Sequence, residues 1–243
     1  MADVVGILGS SFCGSTFLNS ALNTHPDIIG VGELHWVTTL SEHHRSKRPW
    51  LKGCSSCHRN GAELQDCPIF DPEDFPLPLS GLHSEIARRA GVGWVCDSSK
   101  RPVHFREYIS KRSGDSYRFI VLIKKPEDAY LSFMKRGKRD PRKILGAWSG
   151  VYKNVIEFCR DHQCIVIKSE DLIHDLSANL SRVANFLGVA PTFSDDRLSG
   201  LHQIAGNSAY LRQSPRDTPD ISAPDEIALK KAEGVYHEVL SIG

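Results

Sequence analysis

Gly9-Ser10-Ser11-Phe12-Cys13-Gly14-Ser15-Thr16 is a run of mostly small and hydroxyl-bearing residues set between an apolar stretch and a helix-forming one. Small residues let backbone N–H groups curl around an anion, and a helix starting on such a loop adds the positive end of its dipole. The spacing is Gly-x4-Gly-Ser-Thr, one residue away from the Gly-x4-Gly-Lys-Ser/Thr of nucleoside-triphosphate loops. Ser15 stands where those loops carry the lysine that reaches the β- and γ-phosphates, so the cradle is kept and its cation is lost. A strand–turn–helix of this composition also occurs as plain architecture.

Lys124 offers positive charge elsewhere, in Lys124-Lys125-Pro126-Glu127-Asp128-Ala129-Tyr130-Leu131-Ser132. It follows the apolar run Phe119 to Ile123, which places it at the carboxyl end of a strand, the edge where open α/β sheets bind ligands. Ser132 falls in the second turn of the helix that Pro126 opens and could add a hydroxyl donor to the same anion. A solvated lysine pair would read the same way. Asp97-Ser98-Ser99-Lys100 also follows a strand and so reaches the same edge, Asp97 reading as a tie for the loop. A different chemistry is offered by Cys54-x2-Cys57-x9-Cys67, with His58 adjacent. Three thiols in a loop-rich stretch could hold zinc with a fourth ligand, but a redox-labile disulfide or plain free thiols fit the same spacing.

Short β-branched runs alternate with helical stretches along the chain and must position these groups. Val4–Leu8, Ile28–Val31, Gly93–Asp97, Phe119–Ile123 and Cys164–Ile167 read as strands. Helices are expected at about 15–22, 82–89, 144–158, 180–187 (stopped by Gly188) and 225–240, with another from Pro126. Strands separated by helices imply parallel βαβ units, hence a doubly wound α/β fold with a parallel sheet flanked by helices. The expected organisation is one domain, 1–243, with a loop-rich cysteine-containing insertion at about 41–80 and a Pro-rich surface segment at 194–224.

Lys+Arg number 30 against 29 Asp+Glu, a formal charge of +1, which removes the electrostatic footprint of a non-specific nucleic-acid binder and makes any anion site local. The apolar runs are too short to span a bilayer, and no basic, then apolar leader opens the chain. The expectation is a cytoplasmic or already processed protein with no transmembrane segment. Cys13, Cys96, Cys159 and Cys164 lie in or beside apparent core elements, where a free thiol behaves as a small hydrophobe.

The motif order GSSFCGSTFL, DSSKRP, LIKKPEDAYLSFMKR, IKSEDL followed by FLGV, and HQIAGN resembles the sulfotransferases that use 3′-phosphoadenosine 5′-phosphosulfate (PAPS), over roughly residues 4 to 212. The resemblance implies a P-loop-NTPase-like sulfotransferase fold in which Ser10, Ser11, Phe12, Cys13, Gly14, Ser15 and Thr16 bind the 5′-phosphosulfate. It implies that Lys124 and Ser132 bind the 3′-phosphate, with Asn207 and Arg212 in a segment closing over the nucleotide. Glu33, in Val31-Gly32-Glu33-Leu34-His35, matches a Gly-Glu segment resembling the family's general base, and His35 is the alternate base. Lys100 would then assist the leaving phosphate or steer the acceptor. The chain departs from the family at two cations. The strand-end residue is usually Arg and is here Lys124, a point charge without the bidentate fork; the loop often carries Lys or Arg where this chain has Phe12. Cysteine-containing inserts also occur in bacterial-type members.

The activity so implied is transfer of a sulfuryl group from PAPS to a hydroxyl or amine of a small-molecule, carbohydrate or peptide acceptor, releasing adenosine 3′,5′-bisphosphate. A P-loop-like nucleotide kinase and a non-catalytic nucleotide-binding protein are the rival readings. Ser15 and the lack of an obvious Mg²⁺ carboxylate pair count against the first; Phe12 keeps the second in play.

Overall fold

The computed structural model describes residues 1–36, 54, 57, 67–70, 80–111, 114–135, 140–196, 200–205 and 223–242. His58, Asn207, Arg212 and most of the expected 41–80 insertion lie outside the described residues. The strands are β1 (Asp3–Leu8), β2 (Ile28–Gly32), β3 (Trp94–Lys100), β4 (Ser116–Ile123) and β5 (Cys164–Lys168). The helices are α1 (Ser15–Leu22), α2 (Leu82–Ala90), α3 (Pro102–Ser110), α4 (Pro126–Met134), α5 (Pro141–Cys159), α6 (Ser169–His174), α7 (Leu176–Leu187) and α8 (Glu226–Leu240).

All strand pairs are parallel, in the order β2-β3-β1-β4-β5. The chain leaves β1 for one edge, returns through β3, and crosses to β4 on the other side. Winding therefore reverses at β1, and the loop after β1 opens at the switch point of the sheet. Side chains alternate between two buried faces, which is why the strands read as continuous apolar runs. Phe119, Val121 and Ile123 of β4 join one core with α2, α3, α4, α5 and α8. Ile120 and Leu122 join the other with α1, α6 and α7.

The expected strand at Gly93–Asp97 is longer than its apolar pattern, running through Ser98 and Ser99 to Lys100. The extension is polar yet buried, because Asp97 accepts hydrogen bonds from the Ser99 N–H (2.9 Å) and hydroxyl (2.5 Å) and from His83 Nε2 of α2 (3.2 Å). Asp97 is fully buried, and these local donors offset the cost of its desolvation. The helices α3 and α6 were not expected; both are short, and α3 begins on Pro102 at its first position. Asp140, Asp175 and Asp225 cap α5, α7 and α8 by accepting from backbone N–H groups three residues on. Among the described residues no helix is long and apolar enough to cross a membrane.

Candidate functional site

The loop joining β1 to α1 is held from three sides. A Cβ on Gly9 would come within 2.5 Å of the Leu122 carbonyl oxygen of β4, so only glycine fits this approach. The Gly9 N–H donates to Lys100 O at 3.0 Å, and the Ser10 N–H to the Tyr152 hydroxyl at 3.3 Å. Tyr152, buried on α5, donates in turn to Leu122 O at 2.8 Å. Burial pushes its phenol well above the ordinary range, so it remains a donor at any physiological pH. Ser169, at the start of α6, donates to Cys13 O from the far side.

Helix α1 starts on Gly14, in the left-handed region at φ 95°, which has no side chain with which to cap it. The Asp caps of α5, α7 and α8 put a carboxylate at the helix N-terminus; α1, like α2, α3, α4 and α6, has no side-chain cap. Ser15 and Thr16 are buried in the first turn. Phe12 adopts φ 66°, and its ring packs edge-on against Phe133 of α4 with centroids 4.9 Å apart. Phe12 thus fastens the loop to the helix carrying Ser132.

Two cations stand near the loop. Burial pushes the Cys13 thiol up, while the Lys100 and Lys124 ammonium groups both pull it down, so the loop lies in the field of both lysines. Lys124 Nζ donates to Ser132 Oγ at 3.4 Å, so the two residues expected to share an anion are neighbours. The Ser132 hydroxyl proton is committed to Asp128 O at 2.8 Å, and in this arrangement the oxygen accepts from Lys124 rather than offering a donor outward.

Glu33 lies directly past the end of β2, held by a second pairing. The segment 200–205 runs beside β2: Ile204 N–H donates to Val31 O and Glu33 N–H to Ile204 O, each at 2.8 Å. A Cβ on Gly32 would meet Ile204 O at 2.3 Å, and Gly32 has φ 76°, so this approach demands glycine as well. One Glu33 carboxylate oxygen is paired with the Lys100 ammonium and the other accepts from Trp36 Nε1 at 3.2 Å. His35 N–H donates to Ser99 Oγ at 3.1 Å, and its ring stacks on His104 with centroids 4.1 Å apart. Burial, then the neighbouring His104, lowers the His35 pKa to about 4, so its imidazole is neutral at physiological pH.

Glu33, His35 and Lys100 therefore form one cluster, and Lys100 also ties to the loop through its carbonyl. Tyr152, Ser169, Trp36 and Ile204 escape sequence reasoning. Ser169 sits inside IKSEDL and Ile204 inside HQIAGN, so their motifs were visible although their contacts were not. Cys54, Cys57 and Cys67 also converge, around His202 rather than around the loop.

The chain superposes on the sulfotransferase domain of the Synechococcus PCC 7002 olefin synthase with a TM-score of 0.68 and 20% identity, covering 97% of this chain and 96% of that one. The sulfotransferase domain of the curacin biosynthetic pathway gives a TM-score of 0.65 and 16% identity, covering 97% and 98%. No protein-family model and no curated sequence matches the chain.

Proposed function

We propose that this chain, which has the sulfotransferase fold, moves a sulfuryl group from PAPS to a hydroxyl or amine of a small-molecule, carbohydrate or peptide acceptor. The observation that carries this reading is the Glu33–Lys100 pair, a carboxylate and an ammonium joined beside the uncapped loop. The residues fit the nucleotide. The Gly9–Thr16 loop with the α1 N-terminus suits a 5′-phosphosulfate, and Lys124 beside Ser132 suits a 3′-phosphate. PAPS supplies a sulfuryl group whose bond to the 5′-phosphate oxygen breaks as the acceptor oxygen or nitrogen bonds to sulfur.

Glu33 takes the proton that the acceptor loses, because a carboxylate held by Trp36 and Lys100 keeps one orientation. Lys100 neutralises charge gathering on the phosphate side, replacing the loop cation that Phe12 does not provide. His35, neutral and stacked on His104, shapes the wall beside Glu33. Ser15, buried and uncharged, offers nothing to a γ-phosphate, which weighs against the kinase reading.

The reading is tested by supplying PAPS labelled in its sulfuryl group together with a panel of hydroxyl and amine acceptors. Label should move to an acceptor with stoichiometric release of adenosine 3′,5′-bisphosphate. Phosphoryl transfer from ATP and Mg²⁺ to the same panel, with no movement of sulfur label, would overturn it.

A further inference from the structure

We propose that Cys54, Cys57, Cys67 and His202 hold one structural zinc ion, which clasps the cysteine-bearing stretch to the segment that pairs with β2. Their ligand atoms all lie within 4.8 Å of one another. His202 Nδ1 is 3.3 Å from Cys57 Sγ, 3.4 Å from Cys67 Sγ and 3.8 Å from Cys54 Sγ. With Zn–S of about 2.3 Å and Zn–N of about 2.0–2.1 Å, a tetrahedral centre puts its S and N atoms about 3.5 Å apart. The three sulfur–nitrogen separations are therefore close to those that a single ion among the four groups requires.

Two further observations point the same way. The Cys57 N–H donates to Cys54 Sγ at 3.5 Å and the Phe70 N–H to Cys67 Sγ at 3.3 Å, each three residues on. Backbone N–H groups aimed at these two sulfurs hold them in place beside His202. None of the three cysteines is in a disulfide, and Cys54 and Cys67 are buried. Three thiolates and an imidazole suit zinc, and four protein ligands leave no open position, which marks the centre as structural rather than catalytic. On binding, three thiols give up their protons. His202 coordinates through Nδ1 and keeps its proton on Nε2, so the centre carries one net negative charge.

The position gives the centre its consequence. Cys54 and His202 are 148 residues apart in sequence, so the ion would close a very long loop. His202 is two residues from Ile204, whose backbone bonds to Val31 and Glu33. The zinc would therefore hold the strip that fixes the end of β2 and the start of the Glu33 segment, whatever the β1–α1 loop binds.

The test uses the full chain, produced in zinc-supplemented medium and purified under reductant without chelator. About one zinc per chain is expected, falling below about a tenth in Cys67→Ser and His202→Ala, while His202→Cys, which restores a fourth soft ligand, keeps it. Cobalt substituted into the wild-type chain should show tetrahedral d–d bands and thiolate-to-cobalt charge transfer. Chelation should speed amide exchange at Glu33 and Ile204 ahead of the β1 and β4 amides. The cobalt spectrum and the wild-type metal content decide the matter even if Cys67→Ser does not fold. A wild-type chain without metal, or a mapped disulfide among the three cysteines, would overturn the proposal. So would a cobalt spectrum unchanged in His202→Ala.

Discussion

Glu33→Gln is expected to lower kcat by about 10²-fold or more, because a positioned base contributes on this scale and acts only in the transition state. Gln keeps the size and can still accept from Trp36, so the carboxylate's basicity is what disappears. The substitution also strips Lys100 of its partner at a site where the ammonium side chain is only 12% exposed, so some stability should be lost with it. Affinity for adenosine 3′,5′-bisphosphate should stay within about threefold if, as proposed, Glu33 serves the acceptor and not the nucleotide. His35→Asn should be milder in kcat. Its imidazole, at a pKa of about 4, is a poor resting base near neutrality. The measurement is steady-state turnover beside nucleotide titration. Loss of nucleotide binding in Glu33→Gln would make the residue structural, and the reverse ranking would move the base to His35.

Lys124→Ala should weaken the bisphosphate by about 10- to 100-fold, the effect of losing a charge-assisted contact worth about 1.5–3 kcal/mol. Affinity for 5′-AMP, which has no 3′-phosphate, should hardly change. Ser132→Ala should cost less than Lys124→Ala, because its hydroxyl proton is already given to Asp128 O and the oxygen mainly steadies Lys124. The comparison is read from melting temperature against nucleotide concentration for the two ligands in each variant. A parallel loss of bisphosphate and AMP binding would show that Lys124 does not discriminate the 3′-phosphate.

The parts of the fold that could be read from sequence are those whose burial leaves a pattern. β4 is apolar on both faces from Phe119 to Ile123, and α1 follows a Gly/Ser turn; both stand where expected. The end of β3 could not be read in this way. Asp97, Ser98 and Ser99 are buried by hydrogen bonds to one another and to His83, and a polar run satisfied from within carries no apolar period. The same holds for the site. Spacing brings out Lys124 with Ser132, and the family resemblance singles out Glu33 and Lys100 separately; that these two pair follows only from parallel strands β2 and β3 ending at one edge. Tyr152 lies on the buried face of a long helix, where a phenol looks like any core aromatic until its partners, Ser10 and Leu122, are seen. His202 falls among the cysteines only because the segment 200–205 runs beside β2, a pairing too short to leave a strand signature.

Calorimetric titration of the wild-type chain with adenosine 3′,5′-bisphosphate, set against ATP with and without Mg²⁺, tests the nucleotide assignment most directly. With Lys124 reading a 3′-phosphate and Ser15 in place of a triphosphate lysine, the bisphosphate should bind at least about tenfold tighter than ATP, with Mg²⁺ making no difference. Tighter binding of ATP, strengthened by Mg²⁺, would contradict it.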